Sequence, residues 1–271
     1  MHDVLIDSAR RPFLDNAFEI QGSILYLDQG AAELASTTLG LPFIWGLGAV
    51  NICSLEAASY EDANRSFMLS TNEGLSSAHT ISLTICITKL ITESHPDILK
   101  AVNVHGQAVT KLVIFSSFSE LAHACQASCS LGVEAFSEYS TLLRDAIKSI
   151  PSHNSLQINI RHLPMHICTM DASTLVLPSA SAAATHARGS QGCVAGLTPP
   201  DETSGSSKYE GEGEGGDSGL TLLAHSLCGI IAQLGAKMET SPFYLGPCAK
   251  VLATELANLP LPEPVTSAGG G

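Results

Sequence analysis

The segment "SILYLDQGAAELA" at residues 23–35 decides the fold class of this chain. Its first half is a short run of strand-forming apolar residues that ends at Asp28, and its second half is rich in alanine and begins at Gly30. A buried strand that leads directly into a helix is typical of α/β proteins, whose parallel sheets are covered on both faces. Enzymes of this class often keep functional groups at the carboxyl ends of strands, so Asp28 is either a catalytic or ribose-binding acid or a structural residue.

Further segments repeat the order of strand and helix. Residues 80–87, 111–116 and 156–162 have the length and composition of buried strands, and helical patterns follow the first two. Thr92 or Ser94 can cap the helix after residues 80–87, and Pro96 suits its first turn. Ser119 suits the N-cap of the helix after residues 111–116. We therefore expect a three-layer α/β sandwich with a mainly parallel sheet that includes residues 24–28.

The rest of the chain divides by composition. Residues 36–79 are expected to hold one more strand and a mobile loop. Residues 198–219 are rich in Gly, Glu and Ser and too poor in apolar residues to offset the entropy of ordering, so we expect a disordered loop that proteases cut first. The expected parts are an amino-terminal extension (1–17), an α/β first domain (18–178), a linker with the acidic loop (179–219), opening helices of a second domain (220–259) and a disordered tail (260–271).

The two helical segments in the last third of the chain each carry a wide apolar face. Leu222 and Ile230 lie on the first face, and Leu252 and Leu256 lie on the second. Two helices can cover one another along only one stripe, so an exposed apolar patch is expected to remain. This arrangement predicts an incomplete second domain and a chain that is a fragment of a longer protein.

Composition limits the classes of function. The chain has 271 residues, of which 45% are apolar and 14% charged, with a formal net charge of -13. This composition suits a globular protein, and the negative charge disfavours binding to nucleic acid, which needs clustered Lys and Arg. No signal-peptide pattern begins the chain, and no window reaches the roughly 18 apolar residues of a membrane span. A cytoplasmic protein is therefore expected.

Motifs for nucleotide binding and serine hydrolysis are incomplete. A dinucleotide fingerprint needs three glycines between a strand and a helix, whereas "GLGAVN" at residues 46–51 has Asn51 at the third position. No G-x-S-x-G elbow follows a strand, and helix capping explains the serines of "FSSFSE" at residues 115–120. No catalytic or cofactor-binding residue is assigned, and no cofactor is expected.

Two clusters have the residue types of metal sites. Cys125 and Cys129 would share a helix face near His123, but no second ligand pair of similar spacing supports a metal site there. His162 and His166 have the i, i+4 spacing of helical ligands, yet a proline lies between them and the segment alternates like a strand. We interpret these residues as structural and assign no metal ligand.

The order of the segments carries a resemblance to a known family. "SILYLDQGAAE", "TISLTICITKLITESHPDILKAV", "KLVIFSSFSELAH" and "INIRHLPMHICTM" occur in this order, and "LLAHSLCGIIAQLGAKMETSPFYLGPCAKVLATELAN" follows them. Together they resemble the amino-terminal part of the Sec-one/Munc-eighteen (SM) family, and within it the branch of Sec-one family domain-containing protein two. The resemblance spans residues 18–259 and leaves 40–77 and 189–219 unmatched.

The resemblance implies a non-enzymatic protein of vesicle-mediated transport that binds SNAREs or tethering factors and supports membrane fusion. It also implies association with endomembranes through those partners, and a structural role for the acid at the end of the first strand. The family's partner-binding pocket and cleft have no motif that matches here, so the SNARE-binding residues are unknown.

Two alternatives remain open at the level of sequence. One is a doubly wound α/β enzyme that binds a small molecule near Asp28, Ser116 and Ser117. The other is an interaction module whose acidic loop binds a basic partner.

Overall fold

The structure is a computed structural model that describes residues 2–61, 81–126, 129–148, 156–171, 174–178, 218–236 and 247–259. In the first half of the chain the elements are α1 (His2–Asp15), α2 (Ala17–Ile20), β1 (Ser23–Leu27), α3 (Gln29–Leu34), α4 (Leu41–Gly46), β2 (Asn51–Ser54), β3 (Ile81–Ile87), α5 (His95–His105), β4 (Val109–Ser116) and α6 (Glu120–Ala124). The elements that follow are α7 (Ala135–Lys148), β5 (Gln157–His162), β6 (Cys168–Thr169), β7 (Leu175–Val176), α8 (Ser218–Gln233) and α9 (Pro247–Asn258).

The main sheet has five strands in the order β2–β1–β3–β4–β5, and all neighbours are parallel. The four strands expected from the sequence are therefore confirmed in position and direction. The additional strand expected within residues 36–79 is β2, which pairs with β1 so that Leu25 lies opposite Ile52. The loop expected in the same stretch falls largely on residues 62–80, outside the described residues.

Side chains alternate between the two faces of this sheet and build a core on each. Tyr26, Ile85 and Ile114 point to one face, where they pack with residues of α5 and α7. Leu25 and Val113 point to the other, where they pack with residues of α1, α3 and α4. Helices thus cover both faces, which confirms the three-layer α/β sandwich.

Helix caps also agree with the sequence. The Asp28 side chain accepts a hydrogen bond from the Ala31 N–H and caps α3, and the Ser119 hydroxyl accepts one from the Ala122 N–H and caps α6. Pro96 lies in the first turn of α5, and Ser94 occupies the N-cap position, although its side chain makes no capping hydrogen bond. Because Asp28 directly follows β1, its cap ties the start of α3 to the carboxyl end of that strand.

Helix α1 is part of the packed structure. It falls within residues 1–17, for which the sequence predicts an extension ahead of the first domain. Leu5, Ala9 and Phe13 are buried, and Ala9 and Phe13 join the core beneath β1. The Arg10 guanidinium donates hydrogen bonds to the Leu39 carbonyl oxygen at 2.6 and 3.2 Å and fixes the helix to the segment after α3.

Helices α8 and α9 contact each other. Helix α8 also packs on the five-stranded sheet with its covering helices α1–α7, which we call the α/β unit. Leu222 is buried against Leu90 and Phe118, and Ile230 is buried with Ile167. None of the large apolar side chains described on α8 and α9 is exposed, so the expectation of an exposed apolar patch is not met within the described residues. Most of the expected acidic loop and the tail 260–271 lie outside them.

Candidate functional site

The carboxyl end of β1 is the first place to look for chemistry, and Asp28 lies there. Its carboxylate accepts hydrogen bonds from the Ala31 N–H at 2.8 Å, the Thr88 N–H at 2.6 Å and the Thr88 hydroxyl at 3.0 Å. The residue is 1% exposed. Burial raises the pKa of Asp28, while the hydrogen bonds from Thr88 and Ala31 oppose that shift. These bonds tie the end of β1 to the end of β3, so Asp28 is a structural residue.

The crevice in which a doubly wound enzyme binds its ligand is filled in this chain. The strand order places the topological switch point between β1 and β3, directly above Asp28 and Thr88. A methyl group at Gly30 would overlap the Thr88 hydroxyl oxygen and lie 2.9 Å from Cβ of Pro178. An open groove lined by Gln29, Glu33 and Glu56 lies beside it and is acidic. Within the described residues, Thr88 and Pro178 therefore occupy the space directly beside Gly30 at the switch point.

The two serines of the enzyme alternative have structural partners. The Ser116 hydroxyl donates to the Phe118 carbonyl oxygen at 2.9 Å. The Ser117 hydroxyl lies 3.1 Å from Nδ1 of His166, and both residues are buried. Burial lowers the pKa of His166 to about 3, helped by the nearby His162. A general base works best with a pKa near the working pH, so this pair is poorly suited to activate a serine nucleophile.

The two histidines of "RHLPMH" both contact Ser117, directly after β4. His162 ends β5, and its Nε2 donates to the Ser117 carbonyl oxygen at 3.1 Å. His166 follows four residues later, outside any helix or strand, and contacts the Ser117 side chain. The two imidazoles therefore hold the chain after β5 against the end of β4.

The expectation that Cys125 and Cys129 share a helix face is wrong, because α6 ends at Ala124. Cys125 is exposed and Cys129 is buried. His123 is buried with both ring nitrogens engaged: Nδ1 donates to the Ser119 carbonyl oxygen at 2.8 Å, and Nε2 accepts from the Ile91 N–H at 3.1 Å. Across the described ranges, no group of three or more His, Cys, Asp or Glu side chains is placed to hold a metal ion.

The glycines of "GLGAVN" do not form a phosphate loop. Gly46 ends α4, Gly48 has a φ of 85°, and Asn51 begins β2, so the turn leads from a helix into a strand. A phosphate loop requires the opposite order, because the amino terminus of the following helix faces the phosphate.

A cavity of about 250 Å³ lies between the ends of β4 and β5 and helix α8, and we call it the interface pocket. Ser117, His162 and His166 line it from the α/β unit, and His225 and Gly229 line it from α8. Burial lowers the pKa of His162 and of His225, and the nearby imidazole of His123 lowers both further. The pocket therefore gathers neutral imidazoles.

Comparison with known proteins agrees with the resemblance carried by the sequence. No protein-family model matches the chain. The chain is 25% identical over 280 residues to the Arabidopsis thaliana protein described as "Sec1 family domain-containing protein MIP3". The resemblance to the SM family is confirmed. The match covers 89% of this chain and 32% of that protein, so the chain spans about a third of the SM-family relative's length.

Comparison with solved structures gives two matches that cover most of this chain. The crystal structure of Sly1p in complex with an N-terminal peptide of Sed5p matches with a TM-score of 0.50 and 11% identity, covering 94% of this chain and 37% of Sly1p. This match supports the fold alone. The crystal structure of the Unc18–syntaxin 1 complex from Monosiga brevicollis matches with a TM-score of 0.48 and 8% identity, covering 93% of this chain and 35% of that chain.

Sequence reasoning missed three residues that shape these sites. Thr88 follows the second strand, and the rule that parallel strands end at one edge of the sheet could have placed it beside Asp28. Gly30 marks the helix start in the sequence, and a glycine beside a strand end can also indicate a close approach of another part of the chain. His225 lies inside an apolar helical pattern, and no local signal connects it with His166.

Proposed function

We propose that this chain is a non-enzymatic SM-type protein of vesicle-mediated transport that binds SNAREs or tethering factors and supports membrane fusion. The observation that carries the proposal is the sequence relationship to a Sec1 family domain-containing protein along 89% of the chain. The fold, which is shared with a structure of Sly1p bound to a peptide of Sed5p, is consistent with the same role.

The filled switch point favours this role over the enzyme alternative. A doubly wound enzyme needs an open crevice past the carboxyl ends of its strands. Here Gly30 packs against Thr88 and Pro178 at that position, and Asp28 is used in capping and in the link to β3. The surface of the α/β unit, rather than its strand ends, is therefore the proposed place of action.

We also propose that the protein reaches endomembranes through its protein partners. In the parts of the chain that the structure describes, no helix combines the length and apolar character needed to cross a bilayer. Recruitment by a SNARE or a tethering complex requires no such helix.

Affinity capture with the full chain tests the proposal. The full chain is used as bait in a cell extract, and the captured proteins are identified and then retested pairwise with purified components. We expect SNAREs or tethering-complex subunits to be enriched and to bind directly. Recovery of metabolic enzymes without SNAREs or tethers would contradict the proposal.

A matched bait controls for capture of unfolded protein. Gly30→Val places a branched side chain against Thr88 and Pro178, where even a methyl group overlaps. Partners that recognise the folded surface are expected to be lost or weakened with this bait, whereas chaperones are expected to increase. Equal recovery of a SNARE with both baits would show that its capture does not depend on the fold.

A further inference from the structure

Helix α8 is held on the α/β unit by few contacts. Leu222 packs with Leu90 and Phe118 at one end of the helix, and Ile230 packs near Leu5 and Ile167 at the other. The Gln233 side-chain N–H donates to the Pro164 carbonyl oxygen at 3.2 Å. Both apolar clusters are much smaller than the two that line the main sheet. The interface pocket lies between these contacts.

The backbone of α8 rests directly on the imidazole of His166. A methyl group placed on Gly229 would lie 2.9 Å from Cδ2 and 3.2 Å from Nε2 of His166. The ring also packs against Phe118, with ring centroids 5.6 Å apart, and is 2% exposed. Among the described residues, the neutral Ser117 hydroxyl oxygen faces both ring nitrogens, at 3.1 Å from Nδ1 and 3.5 Å from Nε2, so the extra N–H of a protonated His166 would gain no charged acceptor there.

His225 on α8 is a second group that favours the neutral state. Its Nε2 is buried and has no hydrogen-bond partner within the described part of the chain. The charged or titratable side chains on elements around α8 are Glu120 and His123 on α6, His162 and His166 at and after β5, Asp3, Asp7, Arg10, Arg11 and Asp15 on α1, and Lys250 and Glu255 on α9. The Glu120 carboxylate favours the charged form of His123. The histidines around the pocket repel one another when charged, which lowers the pKa of His162, His166 and His225.

We propose that α8 is a detachable helix whose docking on the α/β unit requires neutral His166 and His225, so that acidification releases α8 while the main sheet stays folded. Release exposes both imidazoles to water, which solvates the positive charge that the docked interface excludes. This pH-dependent docking does not rest on the proposed function, because it concerns only the contact between α8 and the α/β unit of this chain.

Linkage gives the direction and size of the effect. The pKa of His166 is about 3 in the docked state and returns to the ordinary value of 6.5 when the ring is solvated. Docking is therefore unaffected well above pH 6.5 and weakens as the pH falls below it. For one such histidine, a change from about pH 7.5 to about pH 5 shifts the equilibrium roughly 30-fold toward release.

Hydrogen exchange of the full chain, corrected for the intrinsic effect of pH on exchange, tests the proposal. Amides of α8 are expected to lose protection between about pH 6.5 and pH 5, while amides of β4 keep theirs. In the His166→Gln/His225→Gln variant, whose side chains stay neutral, this loss is expected to disappear. Loss of protection in α8 and β4 at the same pH, or an unchanged loss in the double variant, would overturn the proposal.

Gly229→Ala gives a second test that does not depend on the histidine variants folding. Its methyl group pushes α8 away from His166, so α8 is expected to lose protection at neutral pH while β4 remains protected. Gly46→Ala, in helix α4 and with nothing within 4 Å of the added carbon, is the matched control and is expected to leave the protection of α8 unchanged. Protection of α8 in Gly229→Ala equal to that of the wild type would show that the contact with His166 does not control docking.

Discussion

The Thr88 N–H donates to the Asp28 carboxylate at 2.6 Å and joins the ends of two adjacent parallel strands, β1 and β3. The same carboxylate caps α3 through the Ala31 N–H. One buried side chain therefore fixes a strand end, the next helix start and the neighbouring strand end. This explains why an acid stands where an enzyme of this fold class would keep a catalytic group.

Asp28→Ala is expected to lower the free energy of unfolding by about 2–4 kcal/mol, because it removes a helix cap and leaves buried N–H groups of Thr88 and Ala31 without acceptors. Urea denaturation followed by circular dichroism measures the change. Asp15→Ala, at an exposed position, is the control and is expected to change stability by less than about 0.5 kcal/mol. An Asp28→Ala variant as stable as the control that loses partner binding would contradict the structural role.

Gly30→Ala is expected to destabilise the protein by about 1–3 kcal/mol, because the added methyl group overlaps the Thr88 hydroxyl and crowds Pro178. Gly46→Ala is the matched control, since it also lies in a helix but has nothing within 4 Å of the added carbon. Helix propensity alone predicts up to about 1 kcal/mol of stabilisation there. Thermal unfolding of both variants measures the difference, and equal shifts would show that the switch point has free space.

Leu25→Ala and Ile114→Ala are each expected to cost about 2–5 kcal/mol, because both side chains are fully buried and point to opposite faces of the sheet. Leu142→Ala, at a residue 43% exposed on α7, is the control and is expected to have a much smaller effect. Urea denaturation measures all three variants. A small effect at only one of the two core positions would mean that one helical layer does not cover the sheet as described.

The free energy of unfolding of the whole chain is expected to fall as the pH drops below about 6.5. The pKa of His123 is lowered in the folded state by burial, and its Nε2 accepts the Ile91 N–H, a bond that protonation would break. A histidine with a lowered pKa stabilises the fold above its unfolded-state pKa and progressively less below it.

Urea denaturation of the full chain at a series of pH values measures this dependence. His123→Gln, which stays neutral, is expected to lose stability at neutral pH and to show a weaker decline on acidification. A decline as steep as that of the wild type would show that His123 does not contribute to it.

The sequence predicts those features of the fold that depend on neighbours along the chain. Strands 24–28, 80–87, 111–116 and 156–162 are runs of buried residues, and the caps at Asp28 and Ser119 lie within three residues of the groups they bind. Contacts between segments far apart in the chain leave no such local pattern: the part played by α1 in the core and the packing of α8 on the α/β unit appear only in the structure. The predicted helix through Cys125 and Cys129 was wrong, because α6 ends at Ala124.

The sequence by itself determined the three-layer α/β class and the likeness to the SM family, because the periodicity and order of apolar segments are properties of the linear chain. Only the tertiary structure decided the role of each polar residue. It brought Thr88 to Asp28 and His225 to the neighbourhood of His166, and it filled the switch point with Gly30 and Pro178. Whether a buried polar group is a site or a structural link depends on what lies within hydrogen-bonding distance, and those distances exist only after the strands have paired.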